Sequence, residues 1–210
     1  MTEKNIFVKL NFILSALEIH QLPEDIGLEV ALCGRSNSGK SSVLNALANN
    51  KSLARTSKTP GRTQSLNVFN FSGDNLRRLI DLPGYGFAKV SKKDRKNWGI
   101  LINNYLNKRI SLRGLVLIMD IRHPLKDSDL TLLNWCEETN TSVLILLNKS
   151  DKISKNQSTN SRNTTLETLK HLKININAVV FSAKNHQGID FLKKYLIDSL
   201  DLEGSPNALG

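Results

Sequence analysis

GRSNSGKSS, Gly34 to Ser42, is the stretch whose reading decides the fold. Glycine stands at 34 and 39, lysine at 40 and serine at 41, which is the Gly-x4-Gly-Lys-Ser spacing of a phosphate-binding loop. The apolar run EVALC, Glu29 to Cys33, precedes it, and Val43, Leu44 and Leu47 recur behind it at helical spacing. Strand, glycine loop and helix, in that order, are the context such a loop requires. Glycine lets the backbone wrap closely around phosphate oxygens, so the amides from Asn37 to Ser41 are expected to point inward. The positive end of the following helix reinforces that anion site. Lys40 is expected to reach the β- and γ-phosphates, and the Ser41 hydroxyl to ligate Mg2+.

At 210 residues the chain suits one domain, or a domain with a small appendage, and can bury a sizeable core. No apolar run approaches the ~20 residues of a membrane-crossing helix. The opening MTEKNIFVKLNFIL carries Glu3 and has no small-residue cleavage site, so it is not read as a signal peptide. The two cysteines, Cys33 and Cys136, lie inside apolar runs and are expected to be buried thiols in a reducing, cytoplasmic compartment. No cluster has zinc-ligand spacing. The net charge of +10 is local: residues 51–62 carry four cations and no acid, and residues 85–113 carry eight against Asp94 alone.

Alternating strand-like and helix-like segments predict an α/β fold of the P-loop NTPase kind, with a mostly parallel sheet of six to seven strands flanked by helices on both faces. Residues 1–27 read as an N-terminal strand and loop extension, 28–202 as the nucleotide-binding domain, and 203–210 as a disordered tail. SLNVFNF pairs with NLRRLID across Ser72-Gly73-Asp74 as a hairpin. Ser91 and Asp94 read as a capping box for a helix whose inner face is Trp98, Leu101, Ile102, Tyr105 and Leu106. Gly114 to Asp120 and Ser142 to Asn148 are continuous apolar runs, the mark of central parallel strands covered on both faces. Asp127 is placed as the cap of the helix between them. Residues 152–165 are almost wholly polar and read as a mobile segment ahead of a helix carrying Leu166, Leu169 and Leu172. Ala178 to Ser182 is the last strand, and Phe191, Leu192, Tyr195, Leu196 and Ser199 line the last helix.

Three further motifs fall at strand ends, where ligands of such sheets bind. DLPG, Asp81 to Gly84, offers an aspartate to hold Mg2+ through water and a Gly84 amide to touch a γ-phosphate. NKSD, Asn148 to Asp151, fixes the base: a carboxylate accepts two hydrogen bonds from guanine N1–H and the 2-amino group, which adenine does not offer. Sites built this way discriminate by about 10⁴ or more. Asn148 is expected to brace the loop and the Lys149 stem to cover the base. SAK, Ser182 to Lys184, places the Ala183 amide to meet guanine O6. Thr56, Thr59 and Thr63 all lie in the basic loop, where a hydroxyl completes Mg2+ coordination.

This ordered set resembles the translation-factor-like GTPases. The longer strings GRSNSGKSS, LARTSKTPGRTQSLN, DLPGYGFAKVSK and DIRHPLKDSD resemble the EngB family of bacterial ribosome-assembly GTPases, in the TrmE-Era-EngA-EngB-septin-like class, over residues 28–200. The resemblance implies a nucleotide site made of Gly34, Arg35, Ser36, Asn37, Ser38, Gly39, Lys40, Ser41 and Ser42, then Gly61, Arg62 and Thr63, then Asp81, Leu82, Pro83 and Gly84. It continues through Asn148, Lys149, Ser150 and Asp151 to Phe181, Ser182, Ala183 and Lys184. Ser41 and Thr63 are the implied Mg2+ ligands, and Lys40, Thr63 and Gly84 the implied catalytic groups. Ser38 is a departure, since the family often has an apolar residue there. Asn37 is either a K+ ligand, as in related potassium-activated GTPases, or a loop-shaping residue.

Tyr85 follows DLPG where Ras-like enzymes place a water-orienting glutamine. A phenol does not polarise water as that amide does, so slow unassisted hydrolysis of GTP to GDP and phosphate is expected. Tyr85 is otherwise an ordinary buried tyrosine, and Gln64 is either its substitute or structural. His123 reads as a loop-structuring or partner-facing residue. The implied function is a switch in large-subunit ribosome assembly, through nucleotide-dependent binding of ribosomal RNA and the subunit precursor, with an indirect requirement in growth and division. A cytoplasmic monomer with no membrane contact is the implied state. The basic segments coincide with the two loops expected to move with the γ-phosphate, which favours RNA contact over a merely solvated face. A nucleotide kinase would need an acceptor-phosphate site and an arginine-rich lid, and NKSD and DLPG argue against it.

Overall fold

The continuous apolar runs become the centre of a seven-stranded sheet in a computed structural model that describes residues 6–54, 65–71, 74–86 and 92–202. The strands are β1 Leu10–Ala16, β2 Leu28–Gly34, β3 Leu66–Phe71, β4 Asp74–Asp81, β5 Leu112–Asp120, β6 Val143–Asn148 and β7 Ile176–Val180. They lie in the order β1-β3-β4-β2-β5-β6-β7. β4, β2, β5, β6 and β7 run parallel, while β3 is antiparallel to both β4 and the edge strand β1. The α helices among the described residues are α1 Lys40–Leu47, α2 Lys92–Lys108, α3 Asp127–Glu138, α4 Lys155–Leu169 and α5 Ile189–Leu200.

Successive side chains of a strand point to opposite faces, so a strand covered on both sides is apolar throughout. Val30, Leu32, Val116, Ile118, Leu144 and Leu146 join Val43, Leu44 and Leu47 of α1 and Leu192 and Leu196 of α5 in one core. Ala31, Cys33, Leu115, Leu117, Met119 and Ile145 join Ile102 and Tyr105 of α2, Leu132, Leu133 and Cys136 of α3 and Leu169 of α4 in the other. The architecture is the helix-flanked, mostly parallel α/β sheet expected. Both cysteines are free and buried. Among the described residues, no helix is long and apolar enough to cross a membrane.

Three local readings are corrected. Residues 155–169 are the helix α4, where a mobile polar segment was expected. Ser154 and Gln157 cap it reciprocally, the Gln157 N–H donating to Ser154 Oγ at 3.3 Å and the Ser154 N–H to Gln157 Oε1 at 2.9 Å. Its polar side chains dock it: Ser161 Oγ donates to the Ile121 carbonyl at 3.0 Å and Arg162 Nε to the Ala178 carbonyl at 2.6 Å. Asp127 is the first residue of α3 rather than its cap, and the Lys126 N–H goes to the carboxylate of Asp129 at 2.9 Å. Phe191 faces solvent, because the buried face of α5 is set by Ile189, Leu192, Leu196 and Leu200. Ser91 of the Ser91–Asp94 capping box, the Ser72-Gly73 turn and the tail 203–210 lie outside the described residues.

At the amino ends of the strands sits a buried ionic cluster that sequence reading missed. Glu29 is wholly buried at the start of β2. It accepts bonds from Arg78 Nε at 2.8 Å, Arg109 Nε at 3.0 Å and Nη2 at 2.8 Å, and Tyr105 Oη at 3.0 Å. Both guanidinium groups also reach carbonyls of residues 23–26. Removing one partner of such a cluster costs about 3–5 kcal/mol, because the remaining charges stay buried. The carboxyl-terminal end of α2 is therefore pinned to β2 and β4.

Candidate functional site

The phosphate loop leaves β2 at Gly34 and enters α1 at Lys40. Its carbonyls are held from outside. Asn148 Nδ2 donates to the Ser38 carbonyl at 2.8 Å, and Lys149 Nζ donates to the Asn37 carbonyl. A trans peptide sets its C=O and N–H on opposite sides, so turning the Ser38 carbonyl to Asn148 turns the Gly39 N–H into the loop. Gly39 has φ 97°, and a Cβ there would lie 2.3 Å from Asn148 Nδ2, so any other residue would be strained and would push Asn148 off the loop. Asn37 takes φ 63°, a left-handed conformation asparagine tolerates well. The free first-turn amides of α1 complete an anion-binding concavity.

Asp81 ends β4 beside this loop, and its carboxylate pairs with the Lys40 ammonium and accepts from Asn67 Nδ2 at 3.4 Å. The Leu82 N–H continues onto the Leu32 carbonyl at 2.9 Å. A Cβ on Gly84 would stand 3.5 Å from the Gly34 carbonyl and 3.7 Å from the Ser36 nitrogen, so DLPG lies directly on the loop. Tyr85 is buried and its hydroxyl donates to Asp129 Oδ1 at 2.7 Å, which is the reading of an ordinary buried tyrosine. Burial pushes its phenol well above the ordinary value.

At the far end of the site, Asn148 Oδ1 accepts the Ala183 N–H at 3.1 Å, so this side chain joins the phosphate loop to residues 181–184. The Ser150 N–H donates to the Phe181 carbonyl at 3.1 Å and Ser150 Oγ to Gln187 Oε1 at 2.8 Å. Ser182 Oγ donates to Asp151 Oδ1 at 2.8 Å and accepts the Lys184 N–H at 3.3 Å. That hydroxyl bond holds the Asp151 carboxyl below the usual carboxylate range. Lys149 is left-handed at φ 69°, and its ammonium also reaches Asp120 Oδ2 at 3.0 Å. Burial alone would raise the Asp120 carboxyl, but the Arg122 and Lys149 bonds outweigh it and hold it well below the usual range. Arg35 Nη2 donates to the His123 carbonyl at 2.7 Å, so the His123 backbone structures the loop while its side chain is exposed.

The structure thus brings together Gly34 to Ser42, Asp81 to Gly84, Asn148 to Asp151 and Phe181 to Lys184. Gly61, Arg62, Thr63 and Gln64, with Thr56 and Thr59, lie outside the described residues. Gln187 and the Asp120–Asp129 segment were not read as parts of the site; the distinctive string DIRHPLKDSD was the available signal for the second.

Loop, strand-end aspartate and Asn-Lys-Ser-Asp element on this sheet define a P-loop GTPase. A family model described as 50S ribosome-binding GTPase matches residues 29–149. Probable GTP-binding proteins EngB of Escherichia coli and Shigella boydii are each 46% identical over 196 residues, 93% of this chain and 92% of theirs. The chain belongs to the EngB family of GTP-binding proteins. Among solved structures, a probable GTP-binding protein EngB aligns with TM-score 0.63 at 22% identity, covering 83% of this chain and 99% of that one. The elongation factor SelB of Methanococcus maripaludis in complex with a GTP analogue shares the fold, with TM-score 0.60 at 16% identity, covering 84% of this chain and 34% of its own.

Proposed function

We propose that this GTP-binding protein is a slowly hydrolysing, cytoplasmic, monomeric switch that acts in assembly of the large ribosomal subunit. Its nucleotide-gated partner is ribosomal RNA of the subunit precursor, and its part in growth and division is indirect. Residues 28–202 form the GTPase domain, with 1–27 as an extension and 203–210 as a tail. The observation that carries the nucleotide reading is the Asn148 side chain, which bonds the phosphate loop and the Ala183 amide at once. The description of the matching family model supports the ribosomal reading.

The phosphates lie on the amides from Asn37 to Ser42, and Lys40 neutralises the β- and γ-phosphates. The Ser41 hydroxyl at the start of α1 and Thr63 would ligate Mg2+, and the Asp81 carboxylate at the end of β4 would hold it through water, an all-oxygen donor set that suits this ion. When bound, the metal neutralises charge on the β- and γ-phosphate oxygens. Gly84 gives its N–H to the γ-phosphate, and Gly61, Arg62 and Thr63 are proposed as further residues of the nucleotide site. Asp151 reads the guanine N1–H and 2-amino group, Lys149 covers the base and Ala183 meets O6.

Tyr85 is tied to Asp129 and does not orient water, which supports slow intrinsic turnover. Asn37 is proposed to hold a K+ beside the phosphates, where an ion supplies electrostatic stabilisation without a catalytic side chain. Its left-handed backbone gives it a loop-shaping role in either case.

Asp151→Asn is expected to lose GTP and gain xanthosine triphosphate, whose C2 carbonyl accepts what the new amide donates; competition titration with both nucleotides reads this, and unchanged GTP affinity would remove Asp151 from the base site. Hydrolysis should run faster in K+ than in Na+, and equal rates with and without ribosomal subunits would leave Asn37 as a loop former alone. Lys93 and Lys96 are exposed on α2. Changing Lys92, Lys93, Arg95 and Lys96 to Ala should weaken GTP-dependent cosedimentation with ribosomal subunits. The log–log salt slope should flatten by up to about 3, taking ~0.7 per lost phosphate contact on single strands. Wild-type binding and salt dependence in that variant would make the surplus charge a solvated face.

A further inference from the structure

The segment Asp120 to Asp129 has no part in the phosphate or base contacts proposed above, yet it touches three of the elements that make them. Asp120, Arg122, His123 and Lys126 line a cleft of about 480 Å³ with Arg35 to Ser38 and Lys149. Of the four cations that line it, Arg35, Arg122, Lys126 and Lys149, all but the exposed Lys126 are engaged by neighbouring groups. Arg122 and Lys149 are engaged by Asp120, and Arg35 lies 3.3 Å from Asp129 with its Nη2 on the His123 carbonyl. The segment braces the loop through these contacts.

We propose that Asp129 is a positioning residue for the γ-phosphate contact of Gly84, acting through the Tyr85 hydroxyl. The inference rests on the reading that the Gly84 N–H meets the γ-phosphate. Asp129 is wholly buried in the first turn of α3. One oxygen accepts the Tyr85 hydroxyl at 2.7 Å, and the other accepts the Lys126 N–H at 2.9 Å and faces Arg35 Nε at 3.3 Å. Tyr85 is the residue after Gly84, and its carbonyl accepts both the Ser36 N–H at 2.8 Å and Ser36 Oγ at 3.0 Å. On the other side of Gly84, the Pro83 carbonyl accepts Trp98 Nε1 at 2.8 Å. The Trp98 ring lies 4.8 Å from that of Tyr85, centroid to centroid.

Gly84 is thus held from both sides, by Trp98 through Pro83 and by Asp129 through Tyr85. A buried carboxylate that loses one of its donors is left underbonded, so the structure resists any shift of Tyr85 away from Asp129. Burial raises the Asp129 carboxyl above the usual range, against the opposing bonds from Tyr85 and Lys126. The peptide at Gly84 is held by contacts within the protein, so a γ-phosphate meets an oriented donor. Loss of the Tyr85 hydroxyl alone leaves the Tyr85 carbonyl on Ser36 and the Arg35–Asp129 contact in place, so it should spare GDP.

Tyr85→Phe removes the hydroxyl and keeps the ring against Trp98; Asp129→Asn keeps an acceptor but removes the charge. Each full-length variant is titrated with GDP and with a non-hydrolysable GTP analogue in Mg2+, and single-turnover GTP hydrolysis and thermal unfolding are measured beside it. For Tyr85→Phe, GDP affinity should stay within about twofold of wild type while analogue affinity and the hydrolysis step each fall about tenfold, the scale of one hydrogen bond. Asp129→Asn should shift the same two readouts less, since the tyrosine still finds an acceptor. Equal losses for both nucleotides, or no change in either variant, would overturn the proposal, the first by reducing Asp129 to fold stability. A wild-type chain that binds neither nucleotide would instead overturn the site reading beneath it.

Discussion

Asn148 gives its amide to the Ser38 carbonyl and takes the Ala183 N–H on its oxygen, and the site is assembled around that side chain. A phosphate-binding loop turns amides inward, so its carbonyls face out and each needs a donor of its own. A carboxamide supplies a donor to one loop and an acceptor to another from two separate atoms; an aspartate of the same length cannot donate. The same contact explains the second glycine of the loop, since Asn148 occupies the place a Cβ at Gly39 would take. Two motifs more than a hundred residues apart are thus one constraint.

The opposite pole of the sheet is fixed by Glu29, whose carboxylate holds Arg78, Arg109 and Tyr105. Two of these three anchors belong to, or directly follow, the carboxyl end of α2, while Trp98 near the amino end reaches the Pro83 carbonyl. One helix therefore has an immobilised end on a buried ionic cluster and another end in contact with DLPG. That end of α2 also carries the exposed Lys93 and Lys96.

Much of this was legible in the sequence because it depends on local order. The glycine spacing, the EVALC run before it and the two-faced runs at 114–120 and 142–148 each report a backbone requirement that only a few residue types meet. The polar helix α4 was not legible, since its stability comes from Ser161 and Arg162 reaching carbonyls of distant segments rather than from an apolar stripe. Glu29 and Asp129 look like any surface acid in a string, and only their tertiary donors make them buried. Asp127 was read as the cap because it precedes the helix, whereas the buried Asp129 reaches back to do that work. The Ser182 hydroxyl on Asp151 was hidden for the same reason: a serine becomes specific only by what stands next to it.

The most direct measurement is a GDP titration of Asn148→Ala, made at a temperature where its unfolding curve coincides with that of the wild type. If this side chain holds the phosphate loop and the base-side loop in one frame, GDP and a GTP analogue should weaken together by about 10- to 100-fold, the scale of one or two hydrogen bonds lost in a buried setting. Wild-type affinity for both nucleotides in a folded Asn148→Ala protein would contradict the account.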